Sequence, residues 1–139
     1  MNESGKMAMA LARVVADLGL PPGDRFTQDW IYELPPEYRT SAWVEKYLEA
    51  YRRQSYGLEE RQLLFALVLD ALDDLVESDP DAARVFWSDV VRLARESPVD
   101  HADELEYWAA RDEDLENAFA LSPLVRALLD EGSMPPKGA

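Results

Sequence analysis

The 139-residue sequence is 47% apolar and 30% charged, sets 28 acids against 14 lysines and arginines for a net charge of -14, and has no cysteine. Such a chain is long enough to bury a core without staples and too apolar to be disordered over most of its length, and disulfides and thiolate metal sites are excluded. Its charge repels phosphate backbones and anionic lipid surfaces, so direct nucleic-acid and membrane binding are disfavoured and basic partners are favoured.

Met7, Leu11, Val14, Val15 and Leu18 recur at helical spacing, and Gly19 before Pro21 and Pro22 is a stop signal. The stretch has the look of a signal sequence after Lys6, but Arg13 and Asp17 interrupt it, so an amphipathic first helix is expected. From Leu20 to Thr40 the pattern breaks, with prolines at 21, 22, 35 and 36 enclosing Trp30, Ile31 and Tyr32. These aromatics either plug the core from a long loop, the preferred reading, or form a short edge strand at 26–34. A loop of this length is a second candidate for partner contact. Thr40 or Ser41 offers an N-cap to a second helix, with Trp43, Val44, Tyr47, Leu48 and Tyr51 on its core face and Glu45, Lys46, Glu49, Arg52 and Arg53 opposite.

Tyr56 and Gly57 turn the chain into a central helix, residues 58–77, with apolar residues over roughly 200° of its circumference, which predicts a helix enclosed by neighbours. Its longest apolar run, Leu63 to Leu69, is seven residues, far below the ~20 that span a bilayer. Asp79 and Pro80 start a fourth helix with Phe86, Trp87, Val90, Val91, Leu93 and Ala94 inward and Arg84, Ser88, Arg92 and Arg95 outward. Ser97 and Pro98 start a fifth, with His101, Leu105, Trp108 and Ala109 inward and Asp100, Asp103, Glu104 and Glu106 outward. An acidic connector, RDEDLENAFAL, leads to Ser122 and Pro123 and a last helix with Leu124, Val125, Leu128 and Leu129 apolar and Gly132 closing it. Ser41, Ser97 and Ser122 are read as helix caps. The fold expected is all-α, an antiparallel bundle of five or six helices in one domain, 1–132, with a disordered tail at 133–139. A cytoplasmic protein fits this composition.

The charge is unevenly placed: residues 70–116 hold 16 acids against 4 bases, whereas residues 1–69 hold 10 against 8. Within that segment Asp70, Asp73, Asp74 and Glu77, at i, i+3, i+4 and i+7, share one face of the central helix. Four like-charged pairs at this spacing destabilise a helix by about 1 to 2 kcal/mol in sum, which calls for an offset: Arg84, Arg92 and Arg95 from the fourth helix, or a basic partner in trans. An oxygen-rich face also suits Mg²⁺. This ridge resembles the aspartate-rich helices of isoprenoid synthases and the acidic helices of all-α nucleotide pyrophosphohydrolases. The second resemblance implies a metal-dependent enzyme with Asp70, Asp73, Asp74 and Glu77 as ligands, Glu45 and Glu49 as the facing pair and Arg52 or Arg53 on phosphate. His101, the sole histidine, is expected to be packed and hydrogen-bonded, since no nucleophile or metal can be assigned to it.

In size, charge and helical pattern, and in the segment Tyr107, Trp108, Ala109, the chain resembles the small acidic immunity proteins that neutralise bacterial toxins. That resemblance implies a non-enzymatic protein without cofactor that occludes a basic partner, such as a toxin domain. The surface expected to do so comprises Asp70, Asp73, Asp74, Glu77, Asp103, Glu104, Glu106, Asp112, Glu113, Asp114 and Glu116. A homodimeric adaptor using the first helix and the Trp30 loop is the remaining alternative.

Overall fold

A computed structural model describes residues 3–21 and 34–130. Among these the chain is all-α, with helices α1 (Glu3–Leu18), α2 (Ser41–Tyr51), α3 (Leu58–Ser78), α4 (Pro80–Glu96), α5 (Pro98–Ala109) and α6 (Ser122–Asp130), and a 3₁₀ turn at Pro36–Tyr38. The expected strand or plug at 26–34, with Trp30, Ile31 and Tyr32, lies outside the described residues, as do Gly132 and the tail at 133–139. No described helix is long and apolar enough to cross a membrane.

The chain divides into two compact units, Met1–Ala71 and Leu72–Ala139, a division that falls inside α3 and that hydrophobic periodicity does not mark. Every residue of α3 from Leu63 to Leu72 is buried, which accounts for its wide apolar arc. At its start Glu60, the third helical residue, accepts from the Gly57 backbone N–H at 3.1 Å, satisfying a donor that the first turn would otherwise leave unpaired.

In the first unit, α1 stops where Gly19 takes the left-handed conformation, φ +71°, and the Gly19 and Leu20 N–H groups return to the Val15 carbonyl. Thr40, rather than Ser41, caps α2 by accepting from the Trp43 N–H. Val44, Tyr47, Leu48, Ala50 and Tyr51 of α2 are buried, so its aromatic face belongs to the core. Tyr47 donates to the Tyr38 carbonyl at 2.8 Å, and burial, reinforced by the charge of Asp70, pushes its phenol well above the usual value. The Arg13 and Arg53 guanidiniums lie 5.0 and 5.5 Å from the Tyr56 ring centroid, and Tyr56 donates to Asp17 at 2.6 Å, which ties the α2–α3 turn to α1.

In the second unit, Asp79 caps α4 through the Ala82 N–H, with Pro80 as the first helical residue. Ser97 makes no side-chain cap; α5 begins on Pro98 after a break in which the Ser97 N–H still bonds to Leu93 of α4. Ser122 is likewise not a cap: its hydroxyl donates to the Trp108 carbonyl at 2.7 Å and accepts from the Phe119 N–H at 3.1 Å, joining the end of α5 to the start of α6. α5 packs on both α4 and α6. The core here contains Val90, Leu93, Leu105, Trp108, Leu121 and Val125, with His101 at 1% exposure among them.

Candidate functional site

The carboxylates grouped by the sequence meet different fates. Asp70 is 5% exposed and pairs with Arg39 at 3.2 Å, while the Arg39 Nε donates to the Leu34 carbonyl. It is a structural anchor of the first unit and not part of a binding surface, which corrects the expectation for this residue. An ion pair so enclosed persists because each charge has its partner; removing one side leaves a buried, uncompensated charge.

Asp73 is half-buried and accepts from the Leu121 N–H at 2.9 Å, holding the turn that precedes α6. Burial raises its pKa, and the neighbouring charges of Asp74 and Glu77 raise it further against the opposing hydrogen bond from Leu121. Only Asp74 and Glu77 of the expected ridge are exposed. The ridge therefore does not act as one anionic surface. Of the arginines weighed as one possible offset to the ridge, Arg84 and Arg92 pair within their own helix, with Asp81 at 3.5 Å and Asp89 at 2.5 Å. Among the described residues no three carboxylate or histidine side chains come together as a metal site. Of the ligand set Asp70, Asp73, Asp74 and Glu77, Asp70 is paired with Arg39 and Asp73 accepts from the Leu121 N–H.

Glu104, expected outward, is largely covered and accepts from the Trp108 indole N–H at 3.3 Å; burial raises its pKa, partly offset by that hydrogen bond. Glu106 is exposed and bridged by Arg111 at 3.0 Å, and Arg111 reaches Asp130 at 3.2 Å. Asp103, Asp112, Glu113, Asp114 and Glu116 are exposed.

Four of these lie on one short piece of chain, between α5 and α6, whose backbone is organised by Arg126. Its guanidinium donates to the carbonyls of Ala109 at 2.6 Å, Ala110 at 2.5 Å and Glu113 at 2.8 Å. Ala110 ends α5 in the left-handed conformation, φ +46°, which an L-residue adopts at a cost of about 1 kcal/mol and which the three carbonyl contacts hold in place. Further turn bonds close the connector, Glu113 N–H to Ala110 and Asn117 N–H to Asp114. Phe119 packs on Trp108 at 4.6 Å and on Tyr107 at 5.5 Å between centroids. The outcome is an irregular but hydrogen-bonded loop carrying Asp112, Glu113, Asp114 and Glu116, with Leu115 53% exposed among them.

Sequence reasoning reached these carboxylates through charge density and missed Arg126. An arginine on an amphipathic helix reads as a solvated side chain, and backbone carbonyls, its actual ligands, leave no trace in residue identity. Of the Tyr107, Trp108, Ala109 segment, Trp108 and Ala109 are buried and Tyr107 is partly exposed, so two of its three residues serve the core. No family model, no curated protein and no solved structure matches the chain.

Proposed function

We propose that the chain is an acidic protein-binding module that occludes a basic partner, in the manner of an inhibitor or immunity protein, through the α5–α6 connector. The observation that carries this reading is the connector itself: Asp112, Glu113, Asp114 and Glu116 are exposed on a backbone fixed by Arg126, with Leu115 exposed between them. Carboxylates concentrated in this way raise the encounter rate with a cationic surface and would occupy positions where that surface holds phosphate. Leu115 and the exposed edge of Tyr107 supply apolar contact, which charge alone does not.

The reading is tested by capture from source lysate at low and high salt, with wild type beside Asp112→Asn/Glu113→Gln/Asp114→Asn/Glu116→Gln. A basic protein held by wild type at about 50 mM salt, released at about 500 mM and not held by the neutralised variant is the expected result. Capture that ignores both salt and the substitutions would overturn it.

A further inference from the structure

The exposed helix surface of the second unit contains a groove that none of the preceding chemistry uses. Pro80, Ala83, Arg84 and Trp87, at i, i+3, i+4 and i+7 on α4, line it together with Val76 near the end of α3 and Leu124 near the start of α6. The cavity is about 240 Å³, half-open and almost wholly apolar. Among the described residues that line it Arg84 is the one charged side chain, and it is engaged by Asp81 at 3.5 Å. Leu124, on the amphipathic face assigned to the core by periodicity, is 37% exposed at this groove.

Three features of the opening define its occupant. The volume lies below the ~300 to 1,000 Å³ typical of small-molecule sites, and no set of polar groups converges there to orient a substrate; it suits one bulky side chain. The residues beside the lining are acidic: Glu77 adjoins Val76, and Asp79 and Asp81 flank Pro80, all three exposed, against the single Arg84. A second copy of this chain would bring a charge of -14 against itself, whereas a cationic segment is attracted.

We infer that this groove receives the apolar anchor of a basic amphipathic segment of a partner protein: one large aliphatic or aromatic side chain seated against Trp87 and Leu124, with flanking lysines or arginines facing Glu77, Asp79 and Asp81. The inference rests on the reading of the chain as a binder of basic proteins and adds where the partner's apolar side chain goes.

The test uses the full chain and two synthetic peptides of equal charge, one a Leu/Lys amphipathic helix and the other with every Leu replaced by Ser. Wild type should bind the Leu/Lys peptide about tenfold or more tighter than the Ser/Lys peptide by fluorescence anisotropy. Leu124→Glu should remove most of that advantage. Because this substitution adds a negative charge, electrostatics alone predicts tighter binding of both peptides, so the sign of the effect separates the two mechanisms. In the unmutated chain, the Trp87 indole resonance should move on titration with the Leu/Lys peptide and stay still with the other. Neutralising Asp112, Glu113, Asp114 and Glu116 should weaken both peptides by a similar factor and leave their ratio intact.

Equal binding of the two peptides by wild type, an advantage that survives Leu124→Glu, or a stationary Trp87 indole would each overturn the groove while the acidic-module reading stands. Failure of wild type to bind either peptide would overturn both.

Discussion

Asp70 and the carboxylates of the α5–α6 connector look alike in the sequence, as members of one acidic segment, yet the structure uses them in opposite ways. Asp70 is enclosed and paired with a cation, Arg39. In the connector the cation, Arg126, binds backbone carbonyls and leaves Asp112, Asp114 and Glu116 in solvent. An arginine that pairs with a carboxylate removes charge from the surface; one that binds carbonyls fixes the backbone and leaves its charges standing. Local acid density therefore does not reveal whether a region is a surface or an anchor. What decides is which acceptor the nearest guanidinium takes.

The contrast can be broken most severely at Arg39. Arg39→Met should cost about 3 to 5 kcal/mol, read as a loss in the urea midpoint, because Asp70 stays buried without its cation. Arg39→Met/Asp70→Leu should recover most of that loss, since an apolar pair of similar volume is often no worse than a buried ion pair. Arg126→Ala should lower stability by about 2 to 3 kcal/mol through loss of its charged hydrogen bonds to three carbonyls, and hydrogen exchange should accelerate at Glu113 and Asn117 before the helices open.

Asp73→Ala should cost about 1 kcal/mol by leaving the Leu121 N–H without its acceptor, while Asp73→Asn keeps an acceptor oxygen and should be milder; urea titration of both variants decides. Glu104 adds a pH-dependent case. Burial raises its folded pKa, so its contribution favours the folded state fully below the ordinary carboxylate value and is lost as pH rises through the raised one. Glu104→Gln should therefore stabilise the protein near pH 7, with the gain in melting temperature shrinking as pH falls toward about 4. The smallest effect belongs to the connector: neutralising Asp112, Asp114 and Glu116 should change stability by about 0.5 kcal/mol or less, since these groups have solvent on most sides.

Helix content was legible because it follows from spacing. The apolar period of α2 and the Asp79–Pro80 start of α4 are local signals, and both elements begin where those signals lie. Within α3, whose apolar arc spans roughly 200°, residues Leu63 to Leu72 are buried, and the lone histidine, placed on the inward side of α5, is buried there. The serines were harder. Ser122 and Ser97 occupy the same Ser-Pro setting, yet one joins Trp108 to Phe119 and the other leaves its helix without a side-chain cap, because the preceding backbone at Ser97 is still bonded into α4.

The candidate site was legible as charge and illegible as geometry. Asp112 to Glu116 stand out in composition, but nothing at positions 70, 73 or 104 announces that Arg39, the Leu121 N–H and the Trp108 indole will claim those carboxylates from 31, 48 and 4 residues away. Leu124 shows the converse: its helical spacing matches that of core residues, and only the packing of α5 against α6 determines which side of α6 stays open.

If the connector binds a partner as proposed, the three carbonyls gathered by Arg126 also bear on how fast that binding can be. A segment that is ordered in the free protein has no folding step to complete after encounter, so its association is limited by diffusion and charge and its conformational entropy is already surrendered on folding. Cutting those three hydrogen bonds would leave every carboxylate in the sequence and still convert a rigid epitope into one that must reorganise on contact. Under the proposed binding of a basic partner, the positive side chain behind this loop would govern the kinetics as much as the negative ones upon it.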